Sequence, residues 1–494
     1  MSLSTRFARN YSYLASSRGS SIIVNIIFLA AASRYLSLID FGKLVFILAT
    51  TSFLQMCFAG GLDSILVREQ CQRPDARSAH FCNSLPPILC TALAVASISM
   101  VVAFFYRSDR TIAEGMVLAG LASSFNLTLS VPIAFYRAAE KMHFEASLVA
   151  FERILFLIGS IAVFLSGGGV VGVAACLMCS VGLKGFAGYY MFLRQFHGSW
   201  STPDRTGIWY FLLESAPMML ASLLFALRWR LDLFLLKAWG TDAQVGMYGA
   251  AFRLGDMMKV LPVDVVSAVF PIFCKTANEG EGNFAKVYHA IVKWSLVLGL
   301  LCGVVLFAYA DQLIPLLFSS RYASAITPFR ILLIAYPLMF WSMANSVTLT
   351  SLHRQVYIAY GLVLALIVQT VVDFVGIHRW GIVGASSGYV SGEIAFFLTV
   401  TFAVLPVMAD FRRSLSVALR LFLAGAVVLL ADASGLWHSM LIGVPVSATL
   451  YLLMLRLLAV VTPNDVKALS SFRWPRAWRI SRGALENEVA LRAK

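Results

Sequence analysis

The sequence predicts an all-α polytopic membrane protein with about fourteen transmembrane helices. Hydrophobic residues make up 59% of the 494-residue chain and charged residues only 13%, which is about half the charged share of an ordinary soluble protein. So few charges cannot cover a protein of this size in water, and the excess apolar surface must face lipid. A soluble enzyme, a disordered protein and a disulfide-stapled secreted domain are therefore excluded.

Apolar runs of about 20 residues, the length that crosses a bilayer, recur along the chain. Their centres fall near Asn25, Leu54, Ala94, Phe125, Phe156, Leu183, Ser222, Lys259, Gly299, Met339, Leu364, Glu393, Val427 and Ala448. The seventh and eighth runs carry many charges, but these charges cluster and both runs are still long enough to span.

Lys and Arg are distributed unevenly over the loops. With the N-terminus in the cytoplasm, the inner loops and tails hold most of them, including Arg73 and Arg77. This positive-inside bias predicts that both termini are cytoplasmic. In the basic tail Arg473 and Arg476 flank Trp474, a pattern more typical of a segment on an anionic membrane surface than of a nucleic-acid site.

Three short motifs recur in the same order and in the same loop contexts. They are residues 40–43 with 244–247, residues 139–144 with 352–357, and residues 168–176 with 380–388. Such repeats predict a transporter built from two related halves. Because each half has an even number of spans, the halves should be related by an axis along the membrane normal, with a cavity between them.

The repeat also sets the predicted domain boundaries. We expect an N-terminal six-helix bundle over residues 1–200 and a C-terminal six-helix bundle over 201–410. Two additional transmembrane helices would follow within 411–462, and a basic cytoplasmic tail would occupy 463–494.

Charged residues lie deep within the seventh and eighth runs. Arg228 and Arg253 are each roughly ten residues from the outer turn that joins the two runs, which places both about 15 Å deep, near the bilayer midplane. A charge at this depth costs about 2.5 to 3.5 kcal/mol on insertion scales and usually marks a pathway or an ion pair. Asp232 lies four residues after Arg228, and Asp256 lies three after Arg253, so each pair shares a helix face.

Several motifs resemble one family of transporters. Residues 245–254 lead to Val269-Phe270-Pro271, and Phe135-Tyr136-Arg137-Ala138 precedes the glycine-rich stretch 168–172. These segments are similar to the polysaccharide transporters of the multidrug/oligosaccharidyl-lipid/polysaccharide exporter superfamily. The resemblance implies a V-shaped fold, alternating access without ATP hydrolysis, and an undecaprenyl-diphosphate-linked oligosaccharide as cargo. In the lipid II flippases of this superfamily, arginines lie in the first, second and eighth spans; Arg18 and Arg253 match the first and eighth.

With such a cargo, the buried arginines would form a diphosphate clamp. Arg253 and Arg228 would bind the diphosphate with bidentate forks, and Arg18 would receive the headgroup at the inner mouth. The alternative is that each arginine merely pairs with its neighbouring aspartate to tolerate burial. Trp229 would stack on a sugar face or point at lipid.

Four carboxylates are candidates for charge balance or ion coupling. Asp232, Asp256 and Asp264 would neutralise the arginines when cargo is absent, or carry a coupling proton or sodium ion. Glu393 lies near mid-depth in the twelfth run without a partner nearby in sequence, and it would titrate during transport or bond to a neighbouring helix.

The predicted function is a bacterial inner-membrane flippase that moves the lipid-linked repeat unit from the cytoplasmic to the periplasmic leaflet, in an O-antigen or exopolysaccharide pathway. A cation-coupled multidrug exporter of the same superfamily is the main alternative. A membrane glycopolymer polymerase or ligase is a weaker one, because the outer loops are short; such a polymerase is instead a possible partner. No cofactor or metal site is expected, since Cys176 and Cys179 lack further ligands.

Overall fold

A computed structural model describes residues 3–196, 202–258, 273, 281–407, 411–434 and 439–461. Within these residues all regular elements are helices. The helices of the N-terminal half are α1 (Leu3–Tyr35), α2 (Leu38–Ala59), α3 (Leu62–Gln72), α4 (Arg77–Phe105), α5 (Arg110–Thr128), α6 (Ser130–Ala138), α7 (Met142–Leu165) and α8 (Gly169–Gln195).

The described part of the C-terminal half is also helical. Its helices are α9 (Arg205–Trp239), α10 (Asp242–Met258), α11 (Glu281–Ala308), α12 (Ala310–Phe318), α13 (Ile326–Ser351), α14 (Val356–Trp380), α15 (Ile382–Val404), α16 (Phe411–Ala433) and α17 (Met440–Leu457). Short 3₁₀ turns occupy Pro74–Ala76, Ser320–Ala325 and Leu405–Val407.

Thirteen segments of the described chain are long and apolar enough to cross a membrane. They match thirteen of the fourteen predicted spans, including the charged seventh one, which forms the 35-residue helix α9. The predicted eighth span begins as α10, and its remainder lies outside the described residues. The prediction of a polytopic all-α membrane protein is therefore confirmed.

Local sequence explains where several helices begin. Ser37 caps α2 by accepting a hydrogen bond from the backbone N–H of Asp40 at 3.0 Å. Asp109 caps α5 by accepting from the N–H groups of Thr111 and Ile112. These side chains satisfy amide groups that a helix start leaves without an internal partner.

The backbone reproduces the sequence repeat. Gly169 and Gly381, which are equivalent in the third motif pair, both have positive φ, at 60° and 55°. Glu140 and His353, equivalent in the second pair, also share positive φ, at 55° and 57°. Positive φ is uncommon for residues other than glycine, so its recurrence at matched positions supports the duplication of the two halves.

The two halves touch where their first motifs meet. A Cβ atom on Gly42 of α2 would overlap the carbonyl of Asp242, and one on Gly246 of α10 would lie 2.8 Å from the Leu38 carbonyl oxygen. Only glycine allows the two backbones to approach so closely. Phe41 packs nearby against Tyr322, with ring centroids 5.3 Å apart, so the ends of the halves near the α1–α2 turn are in close contact.

Candidate functional site

A cavity of about 340 Å³ lies between the two halves. Helices α1, α2, α5, α7 and α8 form one wall, and α10 contributes the other. Its polar and charged lining consists of Asn25, Thr51, Ser52, Gln55, Ser123, Asn126, Glu152, Arg153, Arg253 and Asp256. The predicted cavity between halves is therefore present, and it carries both Arg253 and Asp256 from the sequence-derived set.

The carboxylate of Asp256 pairs with a residue on another helix. Arg230 Nη1 of α9 lies 3.3 Å from Asp256 Oδ2, and the Arg230 guanidinium also lies over the Phe252 ring at 5.6 Å. The sequence had suggested that Arg253 would pair with Asp256 on one helix face. Instead, within the described part of the chain, the guanidinium of Arg253 has neither a hydrogen bond nor an ion pair.

Glu152 of α7 is the second carboxylate of the cavity. Lys184 of α8 donates to Glu152 Oε2 at 2.6 Å and to Asn126 Oδ1 at 2.7 Å. Lys184 is only 4% exposed and is not part of the cavity lining, so it neutralises Glu152 from within the wall.

Arg153 is a cavity residue that the sequence argument did not assign to the site. Its guanidinium carries a buried Nε without a hydrogen-bond partner, 4.0 Å from Glu152, and it interacts electrostatically with Arg253 across the cavity. A charged pair inside the fifth apolar run was the available signal. The sequence of this run does not show how α7 is rotated about its axis. It therefore does not predict that Arg153 faces the cavity.

The cavity lining carries two carboxylates and two guanidinium groups, and the two bases that pair with the carboxylates from outside the lining bring the local balance to two positive charges. Each carboxylate of the described lining pairs with a base that is not itself part of the lining. Lys184 pairs with Glu152, and Arg230 pairs with Asp256. Arg153 and Arg253 then remain as the two guanidinium groups that face the cavity. A low-dielectric chamber with this balance favours an anionic group over a cationic one.

Arg228 lies away from the described cavity lining. It forms a buried ion pair with Glu393 of α15, and its guanidinium lies over the Phe396 ring at 5.2 Å. Arg228 is 4% exposed and Glu393 is 1% exposed, so the pair is enclosed within the C-terminal half. The sequence-based pairing of Arg228 with Asp232 is thus replaced by a contact between helices.

Asp232 belongs to a second buried polar group. It accepts a hydrogen bond from the Tyr248 hydroxyl, and it lies close enough to Asp373 of α14 to interact electrostatically. The Asp373 side chain is fully buried and lies beside that of Gln369. Gly388 of α15 makes room for that carboxylate, since a Cβ there would overlap it.

The sequence argument missed Asp373. A lone carboxylate between Val371-Val372 and Phe374 in the eleventh apolar run was a sufficient signal, because an ionisable residue inside a span is costly. We call Asp232, Tyr248 and Asp373 the C-terminal acidic group.

The other predicted site residues lie elsewhere. Arg18 is an exposed residue of α1, and Trp229 is half-buried on α9; neither belongs to the described cavity lining. Asp264 and the predicted basic tail lie outside the described residues.

The two halves are also joined by contacts between α3 and α9. Arg68 of α3 lies 3.1 Å from Glu214 of α9 and donates to the Tyr210 hydroxyl at 2.9 Å. Tyr210 in turn donates to Glu69 at 2.7 Å. The halves are therefore in contact on both sides of the cavity.

A known protein family matches this chain over more than half of its length. Residues 7–277 match the model of the family described as polysaccharide biosynthesis protein, which covers more than half of the chain. The chain belongs to this family. No curated protein sequence matches it.

Solved structures share the fold at low sequence identity. "Lipid II flippase MurJ, inward closed conformation" is 12% identical with a TM-score of 0.73, over 91% of this chain and 98% of that one. An inward-facing multidrug resistance MATE family transporter of the MOP superfamily is 15% identical with a TM-score of 0.66, over 79% and 94%. A MOP superfamily transporter from Pyrococcus furiosus is 15% identical with a TM-score of 0.60, over 82% and 95%. The fold is thus that of MOP-superfamily transporters.

Proposed function

We propose that this protein is a flippase that moves an undecaprenyl-diphosphate-linked oligosaccharide from the cytoplasmic to the periplasmic leaflet of a bacterial inner membrane. Both termini would lie in the cytoplasm, as the loop charges predict. The observation that carries the proposal is the positive balance of the cavity, where Arg153 and Arg253 face the space and each described acid has a base behind it. Membership of a polysaccharide biosynthesis family supports a glycan-bearing cargo.

The diphosphate would take the place of water around these guanidinium groups. An Arg fork binds two phosphate oxygens with parallel hydrogen bonds, which offsets part of the cost of moving a dianion into the membrane. Arg253 has no competing hydrogen bond or ion pair among the described residues, so it would be the first cargo ligand, with Arg153 opposite. Arg18 would meet the headgroup earlier, at the inner mouth, and Trp229 would contact the sugar in another state of the cycle.

Return of the empty transporter requires the cavity charges to be balanced again. Asp256 would alternate between Arg230 and Arg253, since it contacts the first and lies one helical turn from the second. Asp264 would act in the same way on the remainder of that span. Asp232 and Glu393 would serve in the C-terminal half, where Asp232 sits in the acidic group that we assign to a coupling proton or sodium ion.

A cation-coupled multidrug exporter is the second candidate, because MATE transporters share the fold. The cavity charge separates the two candidates, since a lipophilic cation would meet Arg153 and Arg253 without a spare carboxylate. An enzymatic role, as a polymerase or ligase, has no supporting cluster in the described site. A polysaccharide polymerase remains a plausible partner for a flippase of this pathway.

The test is leaflet exchange of a fluorescent undecaprenyl-diphosphate-oligosaccharide in reconstituted vesicles. Arg253→Ala should slow exchange roughly ten- to a hundredfold, the range expected for losing a hydrogen bond to a charged group. Arg253→Lys should recover only part of the rate, because an ammonium cannot form the bidentate fork. Arg107→Ala is the matched control, since Arg107 is exposed and stacks on Phe104 at 5.0 Å.

Normal exchange by Arg253→Ala would remove the clamp from the mechanism. Export of an ethidium-like cation by the wild-type protein, without exchange of the diphosphate lipid, would favour the multidrug exporter instead.

A further inference from the structure

A second cavity, of about 480 Å³, lies outside the transport site. It is formed by the first turns of α11 and α16 and by the residues that follow α17. Its described lining comprises Lys286, His289, Ala290, Val292, Lys293, Arg413, Ser414, Ser416, Val417, Arg420, Ala459 and Val460. Four of these residues are Lys or Arg, and none of the described ones is acidic. We call this cavity the basic pocket.

The basic residues are regularly placed on two neighbouring helices. Lys286 and Lys293 are seven residues apart on α11, and Arg413 and Arg420 are seven apart on α16, which in each case is about two helical turns or 10.5 Å. The helices pack against each other and start at the same side of the membrane. Each helix thus presents one base at the rim of the pocket and one deeper inside.

Two contacts hold this arrangement in place. His289 and Ser414 share a hydrogen bond of 2.6 Å between Nδ1 and Oγ, which joins α11 to α16 between the two levels of basic residues. Arg420 Nη1 donates to the Leu458 carbonyl oxygen at 3.3 Å, which ties the deeper base to the end of α17. The pocket is therefore shaped by the fold before any ligand arrives.

The two deeper bases of the pocket, Lys293 and Arg420, lie well inside the membrane-spanning parts of their helices. The span of α11 begins at Phe284, so Lys293 lies nine residues inside it, about 13 Å along the helix axis. Arg420 lies at a similar position on α16, next to Leu419, which is 62% exposed on the lipid-facing surface. At this level the two deeper bases lie within reach of a lipid headgroup that enters the pocket from its rim.

We propose that the basic pocket binds the headgroup of an anionic phospholipid from the cytoplasmic leaflet. The phosphate and an anionic headgroup would lie between the rim bases and the deeper bases, while the acyl chains stay against the exposed apolar face of α16. Basic pockets between transmembrane helices on the cytoplasmic side are suited to such headgroups. A zwitterionic lipid would bind less well, because no described carboxylate of the lining would receive its cationic end.

This site is independent of the cargo. The basic pocket shares no lining residue with the cavity that holds Arg253, and it is formed by α11, α16 and the residues that follow α17. The proposal assigns a lipid-dependent role to the last two helices, which lie beyond the repeated halves.

Native mass spectrometry of the full-length protein measures the bound lipids directly. The protein is purified from detergent containing equal amounts of phosphatidylglycerol and phosphatidylcholine, and the retained molecules of each are counted. The wild type should retain phosphatidylglycerol selectively. Lys293→Gln and Arg420→Gln should each lower its retention roughly fivefold, as expected for one basic residue near the membrane surface.

Matched controls distinguish the pocket from general positive charge. Arg194→Gln and Arg354→Gln remove exposed bases from the same predicted side of the membrane, outside the lining of the basic pocket, and should leave retention unchanged. A size-exclusion profile equal to that of the wild type shows that each variant is folded. Retention unaffected by Lys293→Gln and Arg420→Gln would overturn the proposal. So would equal retention of phosphatidylcholine, or displacement of the lipid by millimolar inorganic phosphate, which would indicate a simple anion site.

Discussion

Gly42 and Gly246, equivalent residues of the internal repeat, face each other at a junction between the two halves, on the side that the loop charges predict to be periplasmic. A Cβ on Gly246 would lie 3.1 Å from the backbone nitrogen of Gly42 and 3.2 Å from its Cα. The duplication has therefore placed a small residue on both sides of one interface. If the proposed flippase alternates between two open states, we expect this contact to close the side predicted to be periplasmic.

Gly246→Ala should therefore shift the protein toward the outward-open state. The added methyl group meets backbone rather than a flexible side chain, and overpacking of this kind costs about 1–3 kcal/mol. The measurement is the distance between spin labels at Ser108 and Arg379, exposed outer residues of the two halves, in a cysteine-free background. The distance should lengthen and lipid exchange should slow.

Gly182→Ala is the control for this experiment, because nothing lies within 4 Å of a Cβ at that position. An unchanged label distance in Gly246→Ala would show that the glycine contact does not govern outer closure.

The ion pair between Arg228 and Glu393 gives a second prediction. Loss of one partner leaves a buried charge alone, so Arg228→Leu or Glu393→Leu should each destabilise the protein by about 3–5 kcal/mol. The double variant Arg228→Leu with Glu393→Leu should be more stable than either single variant. Thermal unfolding in detergent would measure this.

The same double variant decides whether Arg228 binds cargo. If the arginine only supports the fold, the double variant should regain most of the lipid exchange that the single variants lose. A stable double variant without exchange would return Arg228 to the diphosphate clamp.

Much of the fold was predictable because each span is an apolar run of sufficient length. The charged run around Ser222 was identified as a helix for this reason and is α9. The repeat was also visible in sequence, since its motifs are the turns that share positive φ at Gly169 and Gly381. These are local properties of the chain.

The partners of the buried charges were less predictable. Spacing of three or four residues suggested the pairs Arg228–Asp232 and Arg253–Asp256, but the structure pairs Arg228 with Glu393 and Arg230 with Asp256. A partner on another helix depends on the rotation and depth of both helices, which spacing within one helix does not specify. A long arginine side chain can also contact a partner that lies far from its own backbone.

Asp373 provides a third prediction. Its carboxyl group is fully buried beside Asp232 and Gln369, and a carboxyl group this far from water is held in its neutral form, so Asp373→Asn should leave thermal stability close to that of the wild type. If the C-terminal acidic group binds the coupling ion, the variant should also lose the acceleration of lipid exchange that an imposed proton or sodium gradient gives the wild type.

The control for Asp373→Asn is exchange without a gradient, which should continue at the wild-type rate. Gradient-dependent acceleration equal to that of the wild type would exclude Asp373 from coupling, whatever the change in stability.

Lys184 gives the last prediction, because it neutralises a cavity acid from behind. Lys184→Met removes the 2.6 Å contact to Glu152 and leaves that carboxylate facing the cavity beside Arg153. The positive balance of the cavity would fall, and exchange of the diphosphate lipid should slow by about tenfold, as for other charge-assisted contacts. Lys184→Met combined with Glu152→Gln removes both charges and should restore exchange. Because the single variant also leaves the buried Glu152 carboxylate with only the 4.0 Å contact to Arg153, thermal unfolding is measured alongside exchange. Rescue of stability without rescue of exchange would show that Lys184 acts on transport by another route than the charge of the cavity.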